Sequence, residues 1–271
     1  DLSTELPAPA QPAAPVDGAV LAKALQHQRA QYQQGLLKAL RGGNAAEAHR
    51  QLQAAVAAIA AWGANAVAVS VNSTCWLGVN GARLGGPAYR RALMAYVRRL
   101  RAHGLYVVVT LHNAAPGRMQ GTDLLPMPDA DHAPAMWRSV ARAFRGVEGV
   151  LFDLYVEPHG VGWRCWRDGC TVTGRRTDGV AVRSARVRYR AAGMADLVRA
   201  VRAGGARQPV LLAGLDWASD LTGWRRFLPR DPARALVAAL DTYDFSPCDA
   251  GCRATVEDIA RTHPVVTTEV G

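Results

Sequence analysis

Lysine is nearly absent: only Lys23 and Lys38 stand among 32 basic residues, and the arginines that make up the rest are scattered through helical and loop-like stretches alike. The net charge of +10 therefore gathers into no dense basic run, and the footprint of a nucleic-acid-binding protein is not read here. Apolar runs of the roughly 18 residues needed to cross a bilayer are also missing, which excludes a spanning helix. No G-x-x-x-x-G-K-[ST] sequence occurs. The turn after the first apolar strand reads Asn72-Ser73-Thr74-Cys75-Trp76, so no glycine-rich phosphate cradle follows it. The close cysteine pairs, Cys165/Cys170 and Cys248/Cys252, lack C-x-x-C spacing. Nearby histidines complete no zinc pattern, so neither a metal nor another cofactor is expected. Two local disulfides in an exported protein are the better reading. Cys75 is left over, either as a buried thiol or as the partner of something outside the chain. The start at Asp1, not methionine, is read as an export signal removed or not included, and a secreted, extracellular location is expected.

What is present is a globular composition, 49% hydrophobic and 20% charged, which excludes a disordered chain. Residues 1–18 are rich in proline and alanine without periodicity, and read as a linker or disordered lead-in. Residues 19–44 form a helical segment rich in glutamine and alanine, ending at Gly42-Gly43. From 45 to 271 the chain reads as one (β/α) domain, opening with a helix over 45–61. Short apolar, β-branched runs follow at 65–71, 105–111, 149–156, 209–215, 235–243 and 264–270. Amphipathic helices are predicted between several of them, at 88–103, 133–144, 185–203 and 254–261. Near-continuous apolar strands alternating with helices indicate a parallel sheet covered on both faces.

Such a sheet is either doubly wound or a (β/α)8 barrel of the TIM type. Polar residues collect at the carboxyl ends of the strands: His112-Asn113, Glu157-Pro158-His159, Asp216-Trp217, Asp241 with Tyr243, and Glu269. Active sites of (β/α)8 enzymes sit at that end, so the barrel is favoured. It is incomplete, since a first and an eighth strand are not evident. Glu157 and Glu269 each end an apolar run. Two carboxyl groups converging over one barrel mouth suit glycoside hydrolysis, in which one protonates the leaving oxygen and the other attacks the anomeric carbon or activates water. The bland alternative is that each glutamate caps a strand end or pairs with an arginine.

The series WGANAVAVSVNSTCWLG, LHNAAPG, FDLYVEPH with WRCWRDGC after it, TYDFSPC and PVVTTEVG resembles glycoside hydrolase family 5, the cellulase-type (β/α)8 family, from about Ala46 to Gly271. The resemblance implies that Glu157 is the acid/base and Glu269 the nucleophile of a retaining, double-displacement hydrolase acting on β-linked glucan or mannan. It implies that His112 and Tyr243 help to hold the sugar and the nucleophile. Retaining enzymes hold their carboxyl groups about 5 to 5.5 Å apart. Sugar C–H faces pack on aromatic planes, so Trp217 is read as substrate-binding, with Trp76, Trp163 and Trp166 near the cleft. Trp62, Trp137 and Trp224 are read as core between helix and barrel.

The pattern departs from the family at four places. Ala68 stands where an arginine is usual, Val156 replaces the asparagine before the acid/base, and Asp241 replaces a histidine. The chain also stops two residues after Glu269, without the eighth strand and its tryptophan. Relatives carry a further cysteine beyond the nucleophile, which would pair with Cys75. Losing a cation and gaining Asp241 makes the site more negative, which disfavours ionised carboxylates there. Two functions follow: an active glycosidase on oligo- or polysaccharide, or a catalytically degenerate relative that binds glycan without turnover.

Overall fold

The computed structural model describes residues 45–83, 85–176 and 185–271. The expected lead-in at 1–18 and the helical segment at 19–44 lie outside them. Helix α1, Ala45–Ala61, belongs to a unit (Asp1–Trp62) separate from the larger one, Gly63–Gly271. Trp62 is 61% exposed, not core as the sequence suggests, because it follows the last residue of α1 and does not lie within the helix.

In the larger unit all six apolar runs become strands: β1 Ala66–Asn72, β2 Tyr106–Asn113, β3 Val150–Asp153, β6 Val210–Ala213, β7 Leu236–Thr242 and β8 Val265–Val270. They form one parallel sheet in the order β1-β2-β3-β6-β7-β8, a curled part-barrel. Among the described residues β1 pairs only with β2, and β8 only with β7. The register aligns Ser70, Thr110, Asp153 and Leu211 in one row across four strands. Alternation then sends Val107, Val109 and Leu111 to the opposite, fully buried face.

Among the described residues, four longer helices lie between the strands: α3 Pro87–Ala102, α4 Ala133–Phe144, α6 Met194–Ala203 and α7 Ala250–Ala260. Helix α4 carries Pro134 in its first turn, which the fixed φ of proline suits. It buries Met136, Trp137, Val140 and Phe144, spaced at three to four residues, as one apolar stripe requires. Helix α6, which packs against α4, buries Leu197, Val198 and Val201 in the same spacing. Buried indoles need a hydrogen-bond acceptor. Trp137 donates to the Leu154 carbonyl at 3.0 Å, and Trp224 to Leu212 at 3.0 Å. Both are fully buried, as expected.

The sequence reading fails at 185–203, which is not one helix. Residues Ala185–Arg190 are strand β5, paired antiparallel with β4, Thr171–Arg176, and α6 begins only at Met194. Val187 and Tyr189 alternate with arginines at period two, the strand signature that the abundance of alanine and arginine obscures. The hairpin follows the short helix α5, Trp163–Asp168. Gly193 abuts that helix so closely that a Cβ there would lie 2.3 Å from the Arg167 carbonyl oxygen, which only glycine permits. Disulfides join Cys165 to Cys170 and Cys248 to Cys252. The second ties the first turn of α7, Ala250–Ala260, to the loop before it. Cys75 forms no disulfide among the described residues; it sits in the short helix α2, Ser73–Leu77.

Candidate active site

The concave face of the sheet frames a cavity of about 350 Å³. Its floor is small and apolar, from Ala66 and Ala68 of β1 to Val108 and Leu211, while its rim carries His112, Asp153, Glu157, Asp241 and Glu269. Of the expected residues, Glu157, Glu269 and His112 all line it. Tyr243, just past β7, joins the group by donating a hydrogen bond to Oε2 of Glu269. One oxygen from each of Glu157, Asp241 and Glu269 lies within 4.8 Å of the others. Two strands distant in sequence thus bring the two glutamates together, and β7 inserts a third carboxylate beside them.

Local structure explains the placement. Asp241 and Glu269 face each other across β7 and β8, where the register shifts at Leu240/Asp241. Thr268 fixes Asp241 by donating to its Oδ1 at 2.6 Å. Glu157 is held four residues beyond the end of β3 with φ at +53°, a conformation that costs a non-glycine residue about 1 kcal/mol or more and clusters at functional sites. The amide of Val156 donates to the Leu111 carbonyl at 3.0 Å, anchoring the strand end beside it. Val156 itself is buried and lines the cavity.

The electrostatics follow from burial and crowding. Glu157 is pushed up to about 7, first by burial and then by the charges of Glu269 and Asp241. Asp241 rises to about 6 by burial, the Thr268 bond opposing and Glu269 adding. Among the described residues, no arginine or lysine lines the cavity. Among the described residues, the arginine ion pairs engage Asp168, Asp196, Asp231 and Asp258, and none engages Glu157 or Glu269. The bland alternative of arginine-paired strand caps therefore finds no support in the geometry.

Trp217 does not line the cavity. It stands outside it, 48% exposed, with its ring stacked on His159 at 3.6 Å between centroids and 8° between planes. His159 in turn contacts the Glu157 carbonyl oxygen through Nδ1 at 2.8 Å, and its pKa is lowered, chiefly by burial. Two of the other tryptophans expected near the cleft face the interior instead. Trp76 and Trp166 are fully buried, because the short helices α2 and α5 turn them inward; Trp166 donates to the Ala213 carbonyl at 2.9 Å. Trp163 packs between Trp166 and Phe227.

One residue was missed by the sequence reasoning. Asp153, the last residue of β3, is 4% exposed and lines the same cavity. Its Oδ2 accepts from Thr110 at 2.6 Å, and its Oδ1 is sealed from solvent. Burial pushes its pKa up to about 7, with the Thr110 bond opposing and Asp241 and Glu269 adding. The available signal was a lone aspartate inside the run Val150-Leu151-Phe152-Asp153-Leu154.

A parallel sheet of β/α units with its polar residues at the carboxyl edge is the architecture of the (β/α)8 barrels, incomplete here among the described residues. The chain belongs to the cellulase family, glycosyl hydrolase family 5, whose model matches residues 30–263. Solved structures agree on the fold. An endoglucanase of Pseudomonas stutzeri superposes with a TM-score of 0.56 at 17% identity, covering 81% of this chain and 67% of that one. An endo-β-1,4-glucanase of Xanthomonas axonopodis pv. citri gives 0.57 at 18% identity, covering 81% and 69%. The Hypocrea jecorina enzyme EG2 gives 0.56 at 17% identity, covering 77% and 63%. The chain thus spans about two thirds of the length of these structures. No curated protein gives a significant match.

Proposed function

We propose that this protein is a retaining glycoside hydrolase that cleaves β-linked polysaccharide, with β-1,4-glucan the first substrate to try and mannan the second. The observation that carries the reading is the convergence of Glu157 and Glu269, from two separate strands, with one oxygen of each within 4.8 Å in a single cavity. So close an approach is compatible with double displacement, in which the carboxyl groups stand about 5 to 5.5 Å apart. Glu157, protonated up to about pH 7, donates to the leaving sugar oxygen and then acts as base toward water. Glu269, oriented by the Tyr243 hydroxyl, attacks the anomeric carbon. His112 on the cavity wall and Trp217 beside its mouth supply a polar contact and a stacking plane for the sugar. Family membership supports the class of reaction. A cellobiose complex of the Pseudomonas stutzeri endoglucanase, 19% identical, supports the choice of glucan. Two disulfides support secretion into an oxidising compartment. No helix among the described residues is long and apolar enough to cross a membrane.

A second reading, a relative that binds glycan without turnover, is favoured by one observation. Four carboxyl groups share the cavity while Ala68 and Val156 contribute no polar contact to it. Release of reducing sugar from soluble β-glucans and mannans, with Glu269→Gln alongside, separates the two. Turnover that vanishes in the variant supports the hydrolase. Oligosaccharide binding with no turnover by either protein supports the second reading.

A further inference from the structure

The hairpin of β4 and β5 takes no part in the proposed chemistry, yet its outer face has a composition that stability does not explain. The register sets Thr171 opposite Arg190, Thr173 opposite Arg188 and Arg175 opposite Arg186. Directly opposite residues of an antiparallel pair share a face, and all six are exposed. The other face turns inward. Val172, Gly174 and Tyr189 are buried there, and a Cβ on Gly174 would stand 2.8 Å from Cδ of Pro126. The outer face thus carries four arginines and no acidic residue. Among the described residues none of the four enters an ion pair or a side-chain hydrogen bond. Like charges set directly opposite destabilise a sheet. Arg175 against Arg186 therefore weakens the hairpin unless an opposite charge arrives from elsewhere.

We infer that this face binds an anionic polysaccharide, one that carries carboxylate or sulfate groups along its chain, and holds it at the cavity end of the sheet. Charge complementarity requires an anionic occupant. Arg186, Arg188 and Arg190 recur at every second residue of one strand, about 6.8 Å apart. The partner they match is extended and repeatedly charged, not a single small ion. Guanidinium forks also fit the paired oxygens of such groups better than a point charge does. Position supplies the link to the cavity. The Tyr189 hydroxyl donates to the Met127 carbonyl at 2.6 Å. One residue earlier, the Pro126 carbonyl accepts from the His159 amide at 3.0 Å, in the turn that carries Glu157. The loop 125–130 therefore fixes the hairpin at the same, carboxyl end of the sheet as the two glutamates. That the occupant is a glycan rests on the hydrolase reading above; that it is a linear polyanion does not.

Carboxymethylcellulose and hydroxyethylcellulose share a β-1,4-glucan backbone, and only the first is charged. Titration calorimetry compares them in the Glu269→Gln background, with and without the triple change Arg186→Gln, Arg188→Gln and Arg190→Gln. The expected result at low salt is tighter binding of the charged polymer, lost about tenfold in the triple variant, since each exposed charge pair contributes only a fraction of that. Binding of the neutral polymer should not change, and salt of about 0.5 M should remove most of the difference. The substitutions leave the buried face intact and relieve repulsion, so the variant should melt no lower than its parent. Arg188→Gln alone should give a smaller loss in the same direction, which keeps the test open if the triple variant does not fold. Undiminished binding of carboxymethylcellulose by a folded variant overturns the proposal, as does an equal loss for both polymers. Tighter, arginine-dependent binding of single-stranded oligothymidylate assigns the face to nucleic acid and equally ends the proposal. Calorimetry needs no turnover. A parent chain that hydrolyses neither polymer but holds the charged one through these arginines ends the hydrolase reading alone. Conversely, an active enzyme whose arginines make no difference to binding ends this inference alone.

Discussion

The phenol of Tyr243, just past β7, donates its hydrogen bond to Oε2 of Glu269 on the neighbouring strand β8. That bond is the leading cause that raises the Tyr243 pKa, since a phenolate beside a carboxylate is disfavoured. A hydrogen bond to a charged group contributes about 1.5–3 kcal/mol. Tyr243→Phe should therefore lower kcat by about 10- to 100-fold with KM changed much less, because the ring remains and only the orientation of Glu269 is lost. Steady-state kinetics on the best glucan decides it. An unchanged kcat would remove Tyr243 from the machinery.

Glu157 must hold its proton to act as the acid. With its pKa pushed up to about 7, kcat/KM should fall about tenfold per pH unit above that pH. Asp241→Asn removes one of the two charges that raise Glu157, so the alkaline limb should move to lower pH. A pH–rate profile of parent and variant tests both statements. A limb that does not move shows that the Asp241 charge has no part in setting the Glu157 proton affinity.

The same crowding makes a stability prediction. Asp153 and Asp241 have native pKa values raised to about 7 and about 6, above the ordinary value of about 3.9. Between those limits the native state keeps protons that the unfolded chain has released, so the contribution of these groups to stability falls as pH rises from about 4 to about 7. Asparagine at 153 cannot ionise. Asp153→Asn should therefore flatten the decline by an amount on the order of a few kcal/mol. Urea denaturation at pH 4.5 and at pH 7.5 measures it, and an equal decline in parent and variant would refute the assignment.

Away from the cavity, Arg202 and Asp231 form a two-pronged ion pair, Nε to Oδ1 at 2.7 Å and Nη2 to Oδ2 at 2.9 Å. Their side chains are only 9% and 2% exposed. Arg202 also donates to the carbonyls of Ala206 and Gln208, joining the end of α6 to the approach to β6. Arg202→Met strands a buried carboxylate and should cost about 3–5 kcal/mol, read as a lower denaturation midpoint with an unchanged slope. Replacing both partners by apolar residues should recover part of that loss.

The sheet was legible because its inner strands β3, β6 and β7 are apolar runs buried almost throughout, as parallel strands covered on both faces are, while the outer strands β1 and β8 are less buried but still rich in valine. The hairpin of β4 and β5 was not, since it lies outside the sheet and its alternating arginines resemble one face of a helix. The pair Glu157 and Glu269 was legible for a physical reason: a carboxylate ending an apolar strand is improbable without a role. Asp153 escaped notice. Its significance depends on Asp241 and Glu269, which other strands bring near it, and that is a property of space that no single stretch of sequence displays. Trp76 and Trp166 misled for the converse reason, because helices of five and six residues turned them inward.

Trp217 sits in the middle of three successive non-glycine residues with positive φ, Asp216 at +52°, Trp217 at +60° and Ala218 at +61°. Each such residue costs about 1 kcal/mol or more and persists only where its surroundings over-determine it. Here the Leu215–Asp220 bridge closes the turn, Ala218 is buried among Leu211, Val237 and Ala239, and His159 lies flat against the indole. The ring is therefore immobilised before any sugar arrives. Under the proposed function its half-exposed face is a preorganised platform: the rotational entropy of the tryptophan is lost during folding and not on binding, so it subtracts nothing from affinity. Relaxing that turn would trade affinity for stability in a region that touches neither glutamate side chain.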